Sequence, residues 1–219
     1  TAIVVLAALR NALKLVKKEM SDVKIVMSGA GAAGTAIARL LVLSGATNII
    51  AFDKDGVISK DSPSEDPMRD WFIEHSNKDN FKGNVHEALS GADIFIGVSA
   101  PNVLKEADIA SMAAGSIVFA LANPDPEIDP VIARKYAAVV ATGRSDHPNQ
   151  INNVLAFPGI FRGLLDANAH KITDKLLVAA AVAIADCVSP SQLNTSFIVP
   201  SVFDPNVVTQ VAAAVKKSV

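Results

Sequence analysis

Two hydrophobic rhythms alternate along the chain. Short, almost wholly apolar runs occupy residues 23–28 (VKIVMS), 48–52 (NIIAF), 93–98, 116–121 and 138–141. Each is bounded by turn residues and is short enough to be a strand buried on both faces. Between them lie stretches with helical spacing. Residues 1–19 predict a helix, apolar nearly throughout at first and then amphipathic, closed by Lys17 and Lys18, whose charge suits a helix carboxyl end. A helix over 32–44 stops at Gly45, and Asp66-Pro67 predicts an N-cap with proline in the first turn of a helix carrying Trp71 and Phe72. Short helices follow over VHEALSG after Asn84, 105–113 and 130–136; beyond Thr142 the pattern gives a loop and then helices at 158–167, 173–187 and 205–217. Residues 54–66 read as a polar connection. Strands alternating with helices predict an α/β fold, a Rossmann-type doubly wound parallel sheet with flanking and C-terminal helices, because parallel strands need covered crossovers.

Composition narrows the function classes. Half of the 219 residues are hydrophobic and only 5% are aromatic, which suits buried strands under alanine-rich helices. The formal charge of −2 comes with no basic cluster, so no nucleic-acid partner is expected. The apolar stretch 176–185, between Lys175 and Asp186, is about half a membrane span, so no membrane partner is expected either. Cys187 has no possible intrachain partner, which fits a reducing cytoplasm, and it reads as a small core residue. The chain passes from Thr1 straight into an apolar helix, which leads us to expect further sequence upstream and an exposed apolar face on residues 1–9.

The sharpest local signal is Gly29-Ala30-Gly31-Ala32-Ala33-Gly34, placed between a predicted strand and a predicted helix. That context lets the first glycine turn tightly, the second admit a pyrophosphate, and the third pack helix against strand. Asp53 follows 19 residues after Gly34, at the end of the second strand, where a carboxylate can accept from ribose hydroxyls. It favours NAD, with NADP possible if Lys54 turns inward. Three further loops leave successive strand ends on the same side: Gly97-Val98-Ser99-Ala100-Pro101, Ala122-Asn123-Pro124-Asp125-Pro126, and Thr142-Gly143-Arg144-Ser145-Asp146 leading to Asn152-Asn153. Ser99 is small enough for a cofactor to approach, and Asn123 can both donate and accept. The plain alternative is ordinary turn chemistry, which uses the same residue types. His75, His86, His147 and His170 have no metal-site spacing; His147 and Arg144 lie near the strand ends, and Tyr136 reads as packing.

Several of these strings together resemble the C-terminal part of the malic enzymes of the short bacterial type. They are the opening apolar helix, Gly29 to Gly34, Phe52-Asp53-Lys54-Asp55-Gly56, Ala122-Asn123-Pro124, and Asn152-Asn153-Val154-Leu155-Ala156-Phe157-Pro158-Gly159, in matching order and spacing. The resemblance covers essentially the whole chain, read as one NAD(P)-binding domain over 1–219 with the N-terminal catalytic and metal-binding part absent. It implies oxidative decarboxylation of malate to pyruvate and carbon dioxide with NAD(P) and a divalent metal, Mg or Mn. Carried over by residue, Gly29, Ala30, Gly31, Ala32, Ala33, Gly34, Asp53, Ser99 and Asn123 hold the dinucleotide, and Asn123, Asn152 and Asn153 reach substrate. The family's tyrosine, lysine and carboxylate metal ligands lie upstream of the segment resembled, so no catalytic residue and no metal ligand is assigned here. Glu65 and Asp66 read as helix-start chemistry at least as well as metal binding. The chain alone is expected to bind dinucleotide without turning over malate, and a homo-oligomer, dimer or tetramer, is expected. Another two-domain dehydrogenase and a non-catalytic nucleotide sensor are the competing readings.

Overall fold

The structure is a computed structural model describing residues 1–64 and 66–219; Glu65, weighed above with Asp66, lies outside the described residues. In chain order the elements are α1 (Ala2–Val16), β1 (Lys24–Ser28), α2 (Ala32–Leu43), β2 (Asn48–Asp53), β3 (Gly56–Val57), α3 (Pro67–His75) and α4 (Val85–Leu89). They continue with β4 (Ile94–Gly97), α5 (Glu106–Ala110), β5 (Ile117–Ala120), α6 (Pro130–Ala133), β6 (Val139–Thr142), a 3-10 turn (Asn153–Leu155), α7 (Phe157–Asp166), α8 (Asp174–Asp186) and α9 (Pro205–Ser218).

The sheet order is β3-β2-β1-β4-β5-β6. All neighbours pair in parallel except β2 and β3. The order reverses at β1, so the chain crosses to opposite sides of the sheet and leaves a crevice above the carboxyl ends of β1 and β4. The side-chain period of two sends alternate residues to opposite layers. Ile25, Met27, Ile94, Ile96, Ile117 and Phe119 pack in the layer that includes residues of α1, α2 and α8. Val26, Phe95, Val118 and Val140 pack with residues of α4, α5 and α6. Among the described residues no helix is long and apolar enough to cross a membrane.

Three expectations change. The apolar opening is not an exposed face: residues 4–9 are fully buried, because α1 lies in the core against α2 and α8. The connection 54–66 is not wholly irregular. Lys54 and Asp55 form a two-residue turn, with Gly56 at φ +115°, that folds β3 antiparallel onto β2. Tyr136 is not a packing residue; it is half exposed and donates to Glu106 at 2.8 Å. At the far end, Gly159 and Gly163 let α7 and α9 touch, since a Cβ on Gly163 would stand 2.6 Å from the Ala212 carbonyl oxygen.

Candidate dinucleotide site

The glycine loop leaves β1 at Ser28. Gly29 takes φ +106°, open to glycine but costly for other residues, and donates its N–H to Phe52 O at 2.8 Å. A Cβ on Gly29 would stand 2.6 Å from the Val98 carbonyl oxygen, and one on Gly34 would collide with the Gly29 carbonyl. These two glycines are therefore required by the fold. Gly31 differs: nothing lies within 4 Å of its would-be Cβ. It caps α2 with no side-chain bond, so the first-turn N–H groups of this 12-residue helix lack a side-chain acceptor, and Gly31, Ala32 and Ala33 at its positive end are exposed. That combination fits a pyrophosphate, whose oxygens need such donors and no side chain in their way.

The loop forms one wall of a cleft of about 540 Å³, lined also by Ser28, Asp53, Lys54, Asp66, Met68, Arg69 and Ser99. Asp53 stands at the end of β2. Its Oδ1 accepts from Asp55 N at 2.8 Å and its Oδ2 from Arg69 Nη1 at 2.6 Å. Arg69 is 9% exposed and also reaches Asp55 at 3.3 Å. It gets there because Asp66 caps α3, accepting from Met68 N at 2.8 Å and Arg69 N at 3.0 Å. The pair holds the Asp53 carboxylate at the cleft with spare acceptor capacity. A second anion beside it, such as a ribose 2′-phosphate, would meet a negative charge with its cation already engaged.

Ser99 follows β4. Its neighbour Glu127 is fully buried, and its carboxylate accepts from Ser99 N at 2.9 Å, Ser99 Oγ at 3.2 Å and Ala122 N at 3.0 Å. Since the Ser99 hydroxyl donates to that carboxylate, the 2.8 Å contact between Ser28 and Ser99 is a bond donated by Ser28. Glu127 thus ties the loops after β4 and β5 together beneath the cleft. Gly97 makes room for it, because a Cβ there would overlap the Glu127 side chain.

The asparagines gather elsewhere. Asn123, joined to Pro124 by a cis peptide, lines a separate concavity of about 290 Å³ with Arg144, Gln150, Asn152 and Asn153. Asn152 is partly engaged, capping the 3-10 turn by accepting from Val154 N at 3.1 Å. Arg144 is clamped on Asp146 at 2.9 and 2.6 Å, which holds the Asp146 carboxyl down at about 2. His147 lies 3.3 Å from Arg134. The structure therefore brings Gly29, Ala30, Gly31, Asp53 and Ser99 to one cleft, with Ala32, Ala33 and Gly34 in the adjoining first turn of α2, and Asn123, Asn152 and Asn153 to another. Arg69 and Glu127 were missed by the sequence reading. The helix cap at Asp66 pointed towards the first, but an isolated glutamate after Pro126 gave no hint of the second. Among the described residues no three His, Cys, Asp or Glu side chains are grouped to hold a metal ion.

A glycine-loop cleft at the reversal of a doubly wound sheet, with an acid at the end of the second strand, defines a dinucleotide-binding domain of the dehydrogenase kind. Comparison with known proteins makes this particular. The malic enzyme NAD-binding domain family matches residues 1–219, and the chain belongs to that family. It is 52% identical over 215 residues to the NAD-dependent malic enzyme of Geobacillus stearothermophilus, covering 98% of this chain and 45% of that protein. It is 46% identical to the bifunctional malic/malolactic enzyme of Bacillus subtilis (strain 168), covering all of this chain and 54% of the relative. A crystal structure of NAD-dependent malic enzyme from Thermotoga maritima superposes with a TM-score of 0.94 at 44% identity, over 100% of this chain and 58% of that one. The chain spans about half the length of these relatives.

Proposed function

We propose that this chain presents NAD to malate during oxidative decarboxylation to pyruvate and carbon dioxide, with Gly29 to Gly34, Asp53 and Ser99 as the dinucleotide contacts. The observation that carries the reading is the uncapped amino end of α2 behind the open Gly31, with the Asp53–Arg69 pair at the far wall. NAD held there would supply the hydride acceptor for oxidation of malate at C2, and decarboxylation and protonation of the resulting 2-oxo acid would give pyruvate. The residues of this chain bind and orient. The α2 amino end takes the pyrophosphate, Asp53 takes the adenosine ribose hydroxyls, and Ser99, braced by Glu127, lets the dinucleotide lie close to backbone. Asn123, Asn152 and Asn153 offer amide donors and acceptors to substrate or the nicotinamide carboxamide. The reading keeps 1–219 as one domain and prefers NAD over NADP.

No step is routed through a metal, because the described residues offer no donor set for one. The Mg or Mn ligands and the acid–base groups are proposed to lie outside this chain, which alone binds NAD and leaves malate unchanged. Self-association into a homo-oligomer is supported by a stripe on α7, where Phe157, Phe161 and Leu165 are 50, 57 and 78% exposed. A cytoplasmic location is supported by the single thiol, Cys187, which has no disulfide partner.

The test is a titration of the protein as expressed from its own gene with NAD and NADP, followed by a malate assay with manganese. Micromolar-to-millimolar NAD binding, weaker NADP binding and malate-dependent NADH production are expected. Binding of neither dinucleotide would overturn the site, whereas NAD binding without turnover of malate by that protein would overturn the reaction alone.

A further inference from the structure

Asp53, Arg69 and Asp55 form a partition between two open spaces. Arg69 Nη1 donates to Asp53 Oδ2 at 2.6 Å and to Asp55 Oδ2 at 3.3 Å. The arginine is set deeper than either acid, its side chain 9% exposed against 18% and 49%. On one side it lines the dinucleotide cleft with Asp53; on the other it lines a second hollow of about 510 Å³ with Asp55, Ser59 and Lys82. Lys54 borders both. The pair is therefore walled by space on two sides and is not part of the packed core.

Charge decides what can lie against this partition. Two carboxylates on one guanidinium leave the trio with one formal net negative charge, and Asp53 is the acid that faces the cleft. Ribose hydroxyls can donate to Asp53 and leave Arg69 where it is. A 2′-phosphate, by contrast, has to compete with Asp53 for the guanidinium, against a carboxylate already seated at 2.6 Å. Arg69 does not depend on Asp53 for its place. Its backbone N–H is bonded to the Asp66 cap of α3 at 3.0 Å, and Asp55 holds the guanidinium from the far side. Shortening Asp53 therefore uncovers a positioned cation at the cleft wall, in the room the carboxylate vacates. Lys54 is the weaker rival, an exposed side chain on the β2–β3 turn whose charge is screened by solvent.

We propose that Arg69 is the specificity-determining residue of the adenosine ribose subsite: held by Asp53 it keeps the site for NAD, and released from Asp53 it takes a 2′-phosphate and turns the site to NADP. The inference rests on the NAD reading of the cleft and adds to it the residue that sets the choice. The phosphate replaces the lost carboxylate as the partner of the guanidinium, one charge-assisted contact exchanged for another.

Parallel calorimetric titrations with NAD and NADP, on the protein as expressed from its own gene, compare the parent with Asp53→Ser and with Asp53→Ser/Arg69→Gln. Asp53→Ser is expected to tighten NADP about tenfold or more while NAD weakens severalfold, so that the preference inverts. The double variant removes both members of the pair and strands neither charge, so it should fold at least as well as the single one. It is expected to lose the NADP gain while its NAD affinity stays within about threefold of Asp53→Ser, a split that mere loosening of the wall would not produce. Asp53→Asn, which keeps the size of the side chain, should tighten NADP severalfold and serves if Asp53→Ser folds poorly. No tightening of NADP in a folded Asp53→Ser or Asp53→Asn overturns the proposal. So does a gain that survives Arg69→Gln, which would give the phosphate to Lys54, or an equal loss of both dinucleotides in the double variant, which would make Arg69 structural only. A parent that binds neither dinucleotide overturns the cleft and this inference together; a parent that binds NAD, with variants that leave NADP unmoved, overturns the role of Arg69 alone.

Discussion

Glu127→Gln isolates the brace beneath the cleft while leaving its shape intact. The carboxylate accepts three bonds and donates none: two from Ser99 on Oε1 and one from Ala122 N on Oε2. An amide has only one acceptor oxygen. Its better placement keeps that oxygen on Ser99 and sets its NH₂ against the Ala122 N–H, donor against donor. One buried N–H is then orphaned, at about 1–3 kcal/mol, and the two surviving bonds lose their charge assistance. A total near 2–3 kcal/mol follows, and in a chain of this size it lowers the melting temperature by about 4–12 °C. Because the same bonds hold the loops carrying Ser99 and Asn123, NAD affinity should fall severalfold as well. Differential scanning calorimetry, paired with fluorescence titration of NADH, reads both quantities. A melting temperature within about 1 °C of the parent, with unchanged NADH binding, would refute the reasoning.

Gly31→Ala and Gly34→Ala should separate ligand space from folding. The first points its methyl into empty space, so it should keep urea stability within about 1 kcal/mol while weakening NAD about tenfold or more; the second meets the Gly29 carbonyl and should cost about 2–4 kcal/mol in urea unfolding. Asp53→Asn should weaken NAD by about fivefold to twentyfold and narrow the preference over NADP, measured by parallel titrations, because the ribose loses a charged acceptor. Burial pushes the Cys187 thiol up to about 11, so alkylation by iodoacetamide should be slow at pH 8 and climb only as pH approaches 11. The sign follows from the raised value: the folded state holds the proton longer than the unfolded chain, so this contribution to stability is whole below about 9 and is lost as pH rises through 11. Asp66→Ala should cost about 1 kcal/mol through the lost cap of α3 and should also loosen Arg69 from Asp53, visible as weaker NAD binding in the same titration.

What the sequence disclosed was mostly local. The parallel strands were legible because residues such as Ile25, Val26 and Met27 are buried on alternating faces and leave an unbroken apolar run. Asp66-Pro67 and Gly31 each name their own position in a helix start. The β2–β3 hairpin was legible in principle, since Asp55-Gly56 is a hairpin turn signal, but the charges around it read as loop. Long-range partners were hidden. Nothing near Arg69 in sequence announces Asp53, sixteen residues away, and nothing near Glu127 announces Ser99, twenty-eight away. Nor could apolarity alone tell an exposed helix face from a buried one: α1 reads the same for both, and only packing against α8 decides. Gly159 carries a similar lesson, because the Phe-Pro-Gly string that marks the family also includes a glycine required for contact with Val211.

The burial of α1 has a consequence for anyone who would exchange this module between dehydrogenases. A graft beginning at Val23 would carry every strand and the whole glycine loop, yet it would leave behind the helix that fills one side of the sheet. The recipient would have to supply a matching apolar helix, or the graft would present a greasy trough along α2 and α8 and aggregate. The smallest transplantable piece starts before the first strand, with the amide of Asn11 as its latch: that side chain donates at 2.9 Å both to Ala185 O near the end of α8 and to Ile198 O in the loop beyond.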